Sequence, residues 1–265
     1  MSIQHVNAIS NRLSLRPPQR DSLEILARMC EIISLEKNGD AAQALETIKT
    51  EFPTVENFER DFPSLCFAIA TGVGKTRLMG AFISYLYLSE GIRHFFVLAP
   101  NLTIYNKLIA DFTPNTPKYV FQGISDFAVN PPLIITGDNY QDGRGIRRDG
   151  YLPDVEWEQD VHVNIFNISK INSEVRGGKS PRIKRLSEYI GQSYFDYLAG
   201  LDDLVMLMDE SHRYRASAGV RAINELNPIL GLELTATPQV ERGQNTESFK
   251  NVIYSYPLSS AMNDG

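Results

Sequence analysis

Apolar residues along the chain keep two rhythms. Short continuous runs at residues 65–70, 94–99, 162–168, 204–208 and 230–235 alternate with longer stretches in which apolar positions return at helical spacing. Continuous runs bounded by polar residues suit strands covered on both faces. Their alternation with helices of about ten residues or more predicts an α/β chain, a mostly parallel sheet flanked by helices. The clearest run is 204–208, five apolar residues between Asp203 and Asp209. It puts an acidic pair, Asp209-Glu210, at the C-terminal end of a buried strand.

Before the first strand, Leu23, Leu26, Ala27, Cys30, Ile33 and Ser34 fall near helical spacing behind Pro17-Pro18, which predicts a helix over about 19–37. A second helix is expected over about 40–49, and 53–63 reads as a connecting loop. Residues 115–160, rich in Pro, Gly, Asp and Arg apart from Leu133, Ile134 and Ile135, are expected to form long loops. A further loop at 174–181, with Gly177, Gly178 and Lys179, should lead into a helix whose face is Leu186, Tyr189, Ile190, Tyr194, Tyr197 and Leu198.

Composition adds little direction. The 265 residues are 43% apolar and 22% charged, an ordinary globular balance, and the formal net charge of −6 supplies no global attraction to a polyanion. Nucleic-acid contact would have to come from local basic or backbone donors. Cys30 and Cys66 lie in apolar stretches without metal-ligand spacing and read as two buried thiols. With no signal-like leader and no apolar run of about 18 residues, the expected location is the cytoplasm, away from membranes.

The chemistry begins at Ala70-Thr71-Gly72-Val73-Gly74-Lys75-Thr76, placed after a predicted strand and before a helix starting near Arg77. Two glycines let backbone N–H groups turn onto phosphate oxygens, the helix N-terminus adds positive potential, Lys75 neutralises charge and Thr76 ligates magnesium. The nucleotide-binding set is therefore Gly72, Val73, Gly74, Lys75 and Thr76, flanked by Thr71 and Arg77. The strict pattern wants glycine where this chain has Ile69. An incidental Gly-rich turn is the alternative reading. Asp209 would hold Mg²⁺ through water, and Glu210 would orient and deprotonate the attacking water, both facing the phosphates across adjacent strand ends. A capped helix start is the plainer alternative for an isolated acidic pair.

Taken together, these residues resemble the superfamily 2 DEAD/DEAH-box helicases, with Asp209-Glu210-Ser211-His212 as the Walker B box and Thr235-Ala236-Thr237-Pro238 as motif III. The resemblance implies a RecA-like P-loop NTPase fold, ATP and Mg²⁺ as cofactors, His212 beside the catalytic Lys75, Asp209 and Glu210, and Thr235, Ala236 and Thr237 as coupling residues. Leu15-Arg16-Pro17-Pro18-Gln19-Arg20 is similar to the Q motif, which makes Gln19 the adenine reader, although Pro18 stands where the family often has an aromatic. Leu98-Ala99-Pro100-Asn101-Leu102-Thr103 resembles motif Ia. Pro100, Asn101 and Thr103 are thereby expected on the nucleic-acid backbone. Thr136 and Gly137, and Ser169 and Lys170, fall where further backbone-gripping motifs occur, and read equally as ordinary turns. Arg144, Arg147, Arg148, Lys179, Arg182, Lys184 and Arg185 would either line a strand-binding groove or simply be solvated.

Within that superfamily the ATGVGKT loop, the long insert before DESHRY and the last ten residues look like the Res subunit of type III restriction enzymes or a related anti-phage helicase. The implied activity is an ATP-dependent DNA motor on double-stranded DNA, divided as a helical segment with the Q motif (1–64), a first RecA-like domain (65–258) and the start of a connection (259–265). The resemblance also implies a second RecA-like domain with an arginine finger, a nuclease domain beyond residue 265 and a modification methyltransferase subunit. Alone, the chain is expected to bind ATP and turn over poorly. Three other readings remain: an RNA helicase of the same superfamily, a P-loop kinase or other small-molecule NTPase, and a non-motor nucleotide-sensing module.

Overall fold

A computed structural model describes residues 2–143, 146, 160–172, 181–187, 191–215, 217–242 and 245–263. Its centre is a seven-stranded parallel sheet made of β1 (Ser64–Ile69), β2 (His94–Ala99), β3 (Leu133–Thr136), β4 (His162–Asn167), β7 (Leu204–Asp209), β8 (Leu230–Thr235) and β11 (Val252–Tyr256). Two small antiparallel pairs stand apart from it, β5 (Leu186–Ser187) with β6 (Gln192–Ser193), and β9 (Gln239–Arg242) with β10 (Asn245–Ser248). The helices are α1 (Ser2–Arg12), α2 (Pro17–Ile32), α3 (Ala41–Glu51), α4 (Lys75–Glu90), α5 (Leu102–Phe112), α6 (Ser125–Val129), α7 (Ile168–Asn172), α8 (Tyr194–Ala199), α9 (Ser217–Glu225) and α10 (Leu258–Asn263).

The strand order is β11-β1-β8-β7-β2-β4-β3. This is the RecA-like order, in which the strand before the phosphate loop and the strand before the acidic pair are separated by one other. The expectation of adjacent strand ends is corrected here: β8 pairs with β1 on one side and with β7 on the other. A loop at the end of β8 therefore sits between the two halves of the nucleotide site.

β1, β7 and β8 are buried along their whole length, as continuous apolar runs require when both faces are covered. One face carries Phe67, Val97, Ile165, Leu207 and Leu232 into a core with α1, α2, α4 and α5. The other carries Phe96, Leu98, Phe166, Met206 and Met208 into a second core with α8 and α9. Val6, Leu23 and Leu26 belong to the first of these cores, so the N-terminal helices are part of the same packed body as the sheet. Helix α4 is buried nearly all round because α1 and α2 cover the side that the sheet leaves open.

Several local expectations change. Helix α2 ends at Ile32 rather than near Lys37, α4 begins at Lys75, and α1 was not anticipated. Asp40 caps α3 by accepting from the Ala42 and Gln43 N–H groups. The stretch expected as long loops contains α6 and a 3₁₀ turn at Tyr140–Asp142 as well as β3. Leu186 does not share a helix face with Leu198: it is exposed on β5, Gly191 takes a φ of 74°, and the helix starts only at Tyr194. Cys66 is buried, but Cys30 is partly exposed, against the expectation of two buried thiols. Arg144, Arg147, Arg148, Gly177, Gly178, Lys179, Tyr189 and Ile190 lie outside the described residues. No helix among the described residues is long and apolar enough to cross a membrane.

Candidate nucleotide site and nucleic-acid edge

All the sequence motifs gather at the C-terminal edge of the sheet, where parallel α/β proteins build their sites. The phosphate loop joins β1 to α4, and Gly72 and Gly74 hold it with φ of 84° and 97°, values that favour glycine. Val73 is buried and anchors the loop, whereas Thr71 and Gly72 face solvent. Lys75 Nζ lies 2.7 Å from Glu210 Oε1. Thr76 Oγ1 accepts from Lys107 Nζ at 3.1 Å, a contribution from α5 that no sequence pattern announced. Arg77 turns away from the loop and donates to the Leu13 carbonyl at 3.2 Å.

Gln19 reaches the loop from α2. Its Nε2 donates to the Gly74 carbonyl at 2.9 Å and its Oε1 accepts from the Arg16 N–H at 2.8 Å. Arg16 Nη1 donates to the Gly72 carbonyl at 3.1 Å. A Cβ on Gly74 would stand 2.7 Å from Gln19 Nε2. The amide expected to read adenine is thus buried and joined to the phosphate loop itself, with Arg16 as a second strut.

Asp209 ends β7 almost fully buried, and its Oδ1 has no hydrogen-bond partner among the described residues. Burial first, and then the Glu210 carboxylate, push the Asp209 carboxyl up to about 6, against the pull of Lys75 and Lys107. An unpartnered buried carboxylate oxygen at the end of β7 fits a ligand to a hydrated divalent cation. Glu210 has a left-handed φ of 49°, a backbone conformation that is strained for a non-glycine residue by about 1–3 kcal/mol. Such a conformation persists only where neighbours fix it.

One neighbour is His212. Its Nδ1 lies 3.5 Å from Glu210 Oε2, 2.9 Å from Thr235 Oγ1 and 3.4 Å from Thr237 Oγ1. Burial lowers the basicity of the His212 ring although Glu210 raises it. Thr235 in turn accepts from the Thr237 N–H at 3.1 Å around half-buried Ala236. Tyr214 donates to the Leu98 carbonyl at 3.0 Å and fixes the 3₁₀ turn Ser211–Tyr214 against β2.

The remaining motifs continue along the same edge at the ends of β2, β3 and β4. Asn101 caps α5 by accepting from the Ile104 N–H at 2.9 Å, with Thr103 exposed and Pro100 partly exposed beside it. Thr136 is buried in a turn closed by Asn139, and Gly137 sits against Lys170, whose Nζ lies 3.6 Å from Asp138 Oδ1. Ser169 is held by the Asn167 side chain. Away from this edge, Lys184 pairs with Glu225 and lies over the Phe195 ring at 4.4 Å, which ties it to structure rather than to a groove.

A family model described as "Type III restriction enzyme, res subunit" matches residues 12–240. The chain belongs to that family. The matched span contains the Q-like segment, the phosphate loop and the Walker B strand of this Res-family chain, and motif III. No curated protein matches it. Among solved structures, a SWI2/SNF2 ATPase core from Sulfolobus solfataricus in complex with dsDNA aligns at 12% identity over 78% of this chain and 34% of that one, with a TM-score of 0.38. The crystal structure of T4 UvsW aligns at 13% identity over 65% and 26% of the two chains, with a TM-score of 0.34. This chain spans about a third or less of those structures.

Proposed function

We propose that this chain is the ATP-hydrolysing first RecA-like domain of a DNA translocase or helicase, acting on double-stranded DNA in a type III restriction Res subunit or a related anti-phage enzyme. Family membership supports the reading. The observation that carries it is the convergence of the phosphate loop and Asp209-Glu210 from either side of β8, with Lys75 Nζ 2.7 Å from Glu210 Oε1. A P-loop kinase has no need of a histidine that joins its acidic box to a Thr-Ala-Thr loop.

The chemistry follows from the residues. Backbone N–H groups from Gly72 to Lys75 cradle phosphate oxygens, and Lys75 transfers its charge from Glu210 to the phosphates. Thr76 and Asp209 would hold Mg²⁺, which supplies charge neutralisation at the β- and γ-phosphates. Glu210, released from Lys75, accepts a proton from the attacking water. His212, Thr235 and Thr237 pass the state of that site to the neighbouring loop. Pro100, Asn101, Thr103, Thr136, Gly137, Ser169 and Lys170 grip a phosphodiester backbone without reading sequence. In this reading residues 1–64 and 65–258 act as one domain, and residues 259–265 lead toward a second RecA-like domain. That domain supplies the arginine that stabilises the transferring phosphoryl group, with nuclease and methyltransferase partners completing restriction.

ATP turnover measured with double-stranded DNA, single-stranded DNA and RNA tests this, with Glu210→Gln as control, on this chain and on one joined to a second RecA-like domain. Stimulation by double-stranded DNA, greatest with both domains and lost in the control, is expected. Stimulation by RNA alone would transfer the chain to the RNA helicases, and no turnover under any condition would remove the motor reading.

A further inference from the structure

Glu233 is a charged residue in the middle of an otherwise apolar buried strand, fully enclosed by β1 and β7. Its carboxylate lies 3.4 Å from Arg60 Nε and 2.7 Å from Arg215 Nη2, and it accepts from Ser64 Oγ at 2.9 Å and Asn251 Nδ2 at 3.1 Å. Arg215 Nη1 reaches on to Glu59 Oε2 at 2.7 Å, and its guanidinium stacks 3.7 Å from the centre of the Phe249 ring. Glu59 Oε2 also accepts from the Lys250 N–H at 3.1 Å.

A buried Arg–Glu–Arg triad is a poor source of stability, because desolvation offsets the attraction. Both terminal nitrogens of Arg60 and Nε of Arg215 are moreover buried without partners among the described residues. The triad's place in the fold supplies a different reason for it. Arg215 directly follows the turn that begins at strained Glu210. His212 on that turn holds Thr235, where the motif III loop leaves the sheet. Arg215 holds Phe249 and, through Glu59, Lys250, where the chain returns after the β9–β10 hairpin. The Phe249 N–H donates to the Pro238 carbonyl at 2.9 Å and closes the base of that hairpin. The two ends of one excursion are therefore gripped by two residues of the Glu210 turn.

We infer that Arg215, with Glu233, Arg60 and Glu59, is a positioning clasp that fixes the backbone of the Glu210 turn and makes it respond to the β9–β10 hairpin. The clasp rests on the reading of Glu210 as the base for ATP hydrolysis. It acts alongside the His212–Thr235 link and through different atoms. None of its four side chains is among the groups assigned to nucleotide or nucleic acid, so its loss changes turnover and leaves nucleotide binding alone.

The deciding variant is Arg60→Met/Arg215→Met/Glu233→Met, in which apolar side chains of similar length replace the triad. Expected are a Tm equal to or above that of the unsubstituted chain, Mg·ADP affinity within about two-fold and nucleic-acid-stimulated kcat lower by about ten-fold or more. Amide exchange across residues 211–215 should be about ten-fold faster. A stable triple variant with undiminished kcat and unchanged exchange overturns the clasp. Should the triple variant not fold, Arg215→Lys decides, because an ammonium lacks the planar fork whose Nη1 meets Glu59 and whose Nη2 meets Glu233: reduced kcat at retained Tm and ADP affinity supports the clasp, and unchanged kcat overturns it. If the unsubstituted chain hydrolyses no ATP either alone or joined to a second RecA-like domain, the motor reading fails, and the exchange across 211–215 still decides the clasp.

Discussion

Replacing Glu210 by Gln should move catalysis and affinity in opposite directions. The substitution keeps the shape of the side chain and removes its charge, and with it the proton acceptor for the attacking water. Loss of a general base lowers turnover by about 10²–10⁴-fold. The same carboxylate also holds Lys75, at 2.7 Å, with both side chains mostly buried. A charge-assisted hydrogen bond contributes about 1.5–3 kcal/mol and a neutral one about 0.5–1.5, so freeing Lys75 from the carboxylate lowers the cost of handing it to phosphates by about 1–1.5 kcal/mol. That is a tightening of nucleotide binding by about 5- to 13-fold. Equilibrium titration with a fluorescent ADP, which removes hydrolysis from the comparison, measures it directly. Unchanged or weaker ADP binding in Glu210→Gln would show that the Lys75–Glu210 pair does not compete with phosphate, and would refute the partner exchange on which the mechanism rests.

Other substitutions have equally local consequences. Gly74→Ala combines a disfavoured positive φ with a Cβ 2.7 Å from Gln19 Nε2; it should abolish nucleotide binding while the far-UV circular dichroism spectrum is kept, and retained binding counts against the loop geometry. Lys107→Met removes a positive charge that faces Thr76 and Asp209; because this lysine is well exposed, the Mg²⁺ midpoint for nucleotide binding should fall only about three-fold, and a higher midpoint contradicts the argument. His162, facing His94, Asp160 and Asp203, is lowered from 6.5 to about 4 by burial and then by His94. The unfolded chain therefore takes up a proton as pH falls through 6.5 while the native chain does so only near 4, and stability drops across that window by up to about 3 kcal/mol. Urea melts should show a smaller loss in His162→Gln, and an equal loss removes His162 as the cause.

The strands and the phosphate loop could be read from the sequence because each is specified locally. A fully buried strand is a continuous apolar run, and a phosphate loop needs its glycines, lysine and threonine within a few residues. Helix α1 was missed because only a narrow stripe at Val6, Ile9 and Ser10 is buried, too little to mark a period in a polar segment. The tyrosines and leucines of 186–198 do approach helical spacing, but Gly191 reverses the chain between β5 and β6. Strand order leaves no local trace, so the insertion of β8 between the phosphate-loop strand and the acidic strand appears only in the fold. Glu233 was a legible anomaly, one charge in an apolar run. Its partner Arg60 lies 173 residues away, and no spacing rule reaches that far.

The groups assigned to nucleotide already have partners inside the chain: Lys75 has Glu210, Thr76 has Lys107 and Gln19 has the Gly74 carbonyl. Nucleotide entry is then an exchange of partners, and each exchange has a defined recipient. When phosphate takes Lys75, the contacts left at the Glu210 turn include those on the other side of it, His212 to Thr235 and Arg215 to Glu233. Both lead onto β8 and the hairpin that follows it. The turn that carries the released carboxylate stays linked through His212 and Arg215 to elements that continue toward the motif III loop, while Tyr214 keeps it on the Leu98 carbonyl of β2. In the proposed motor, the links of the Glu210 turn through His212 and Arg215 are the route by which ATP state reaches the motif III loop.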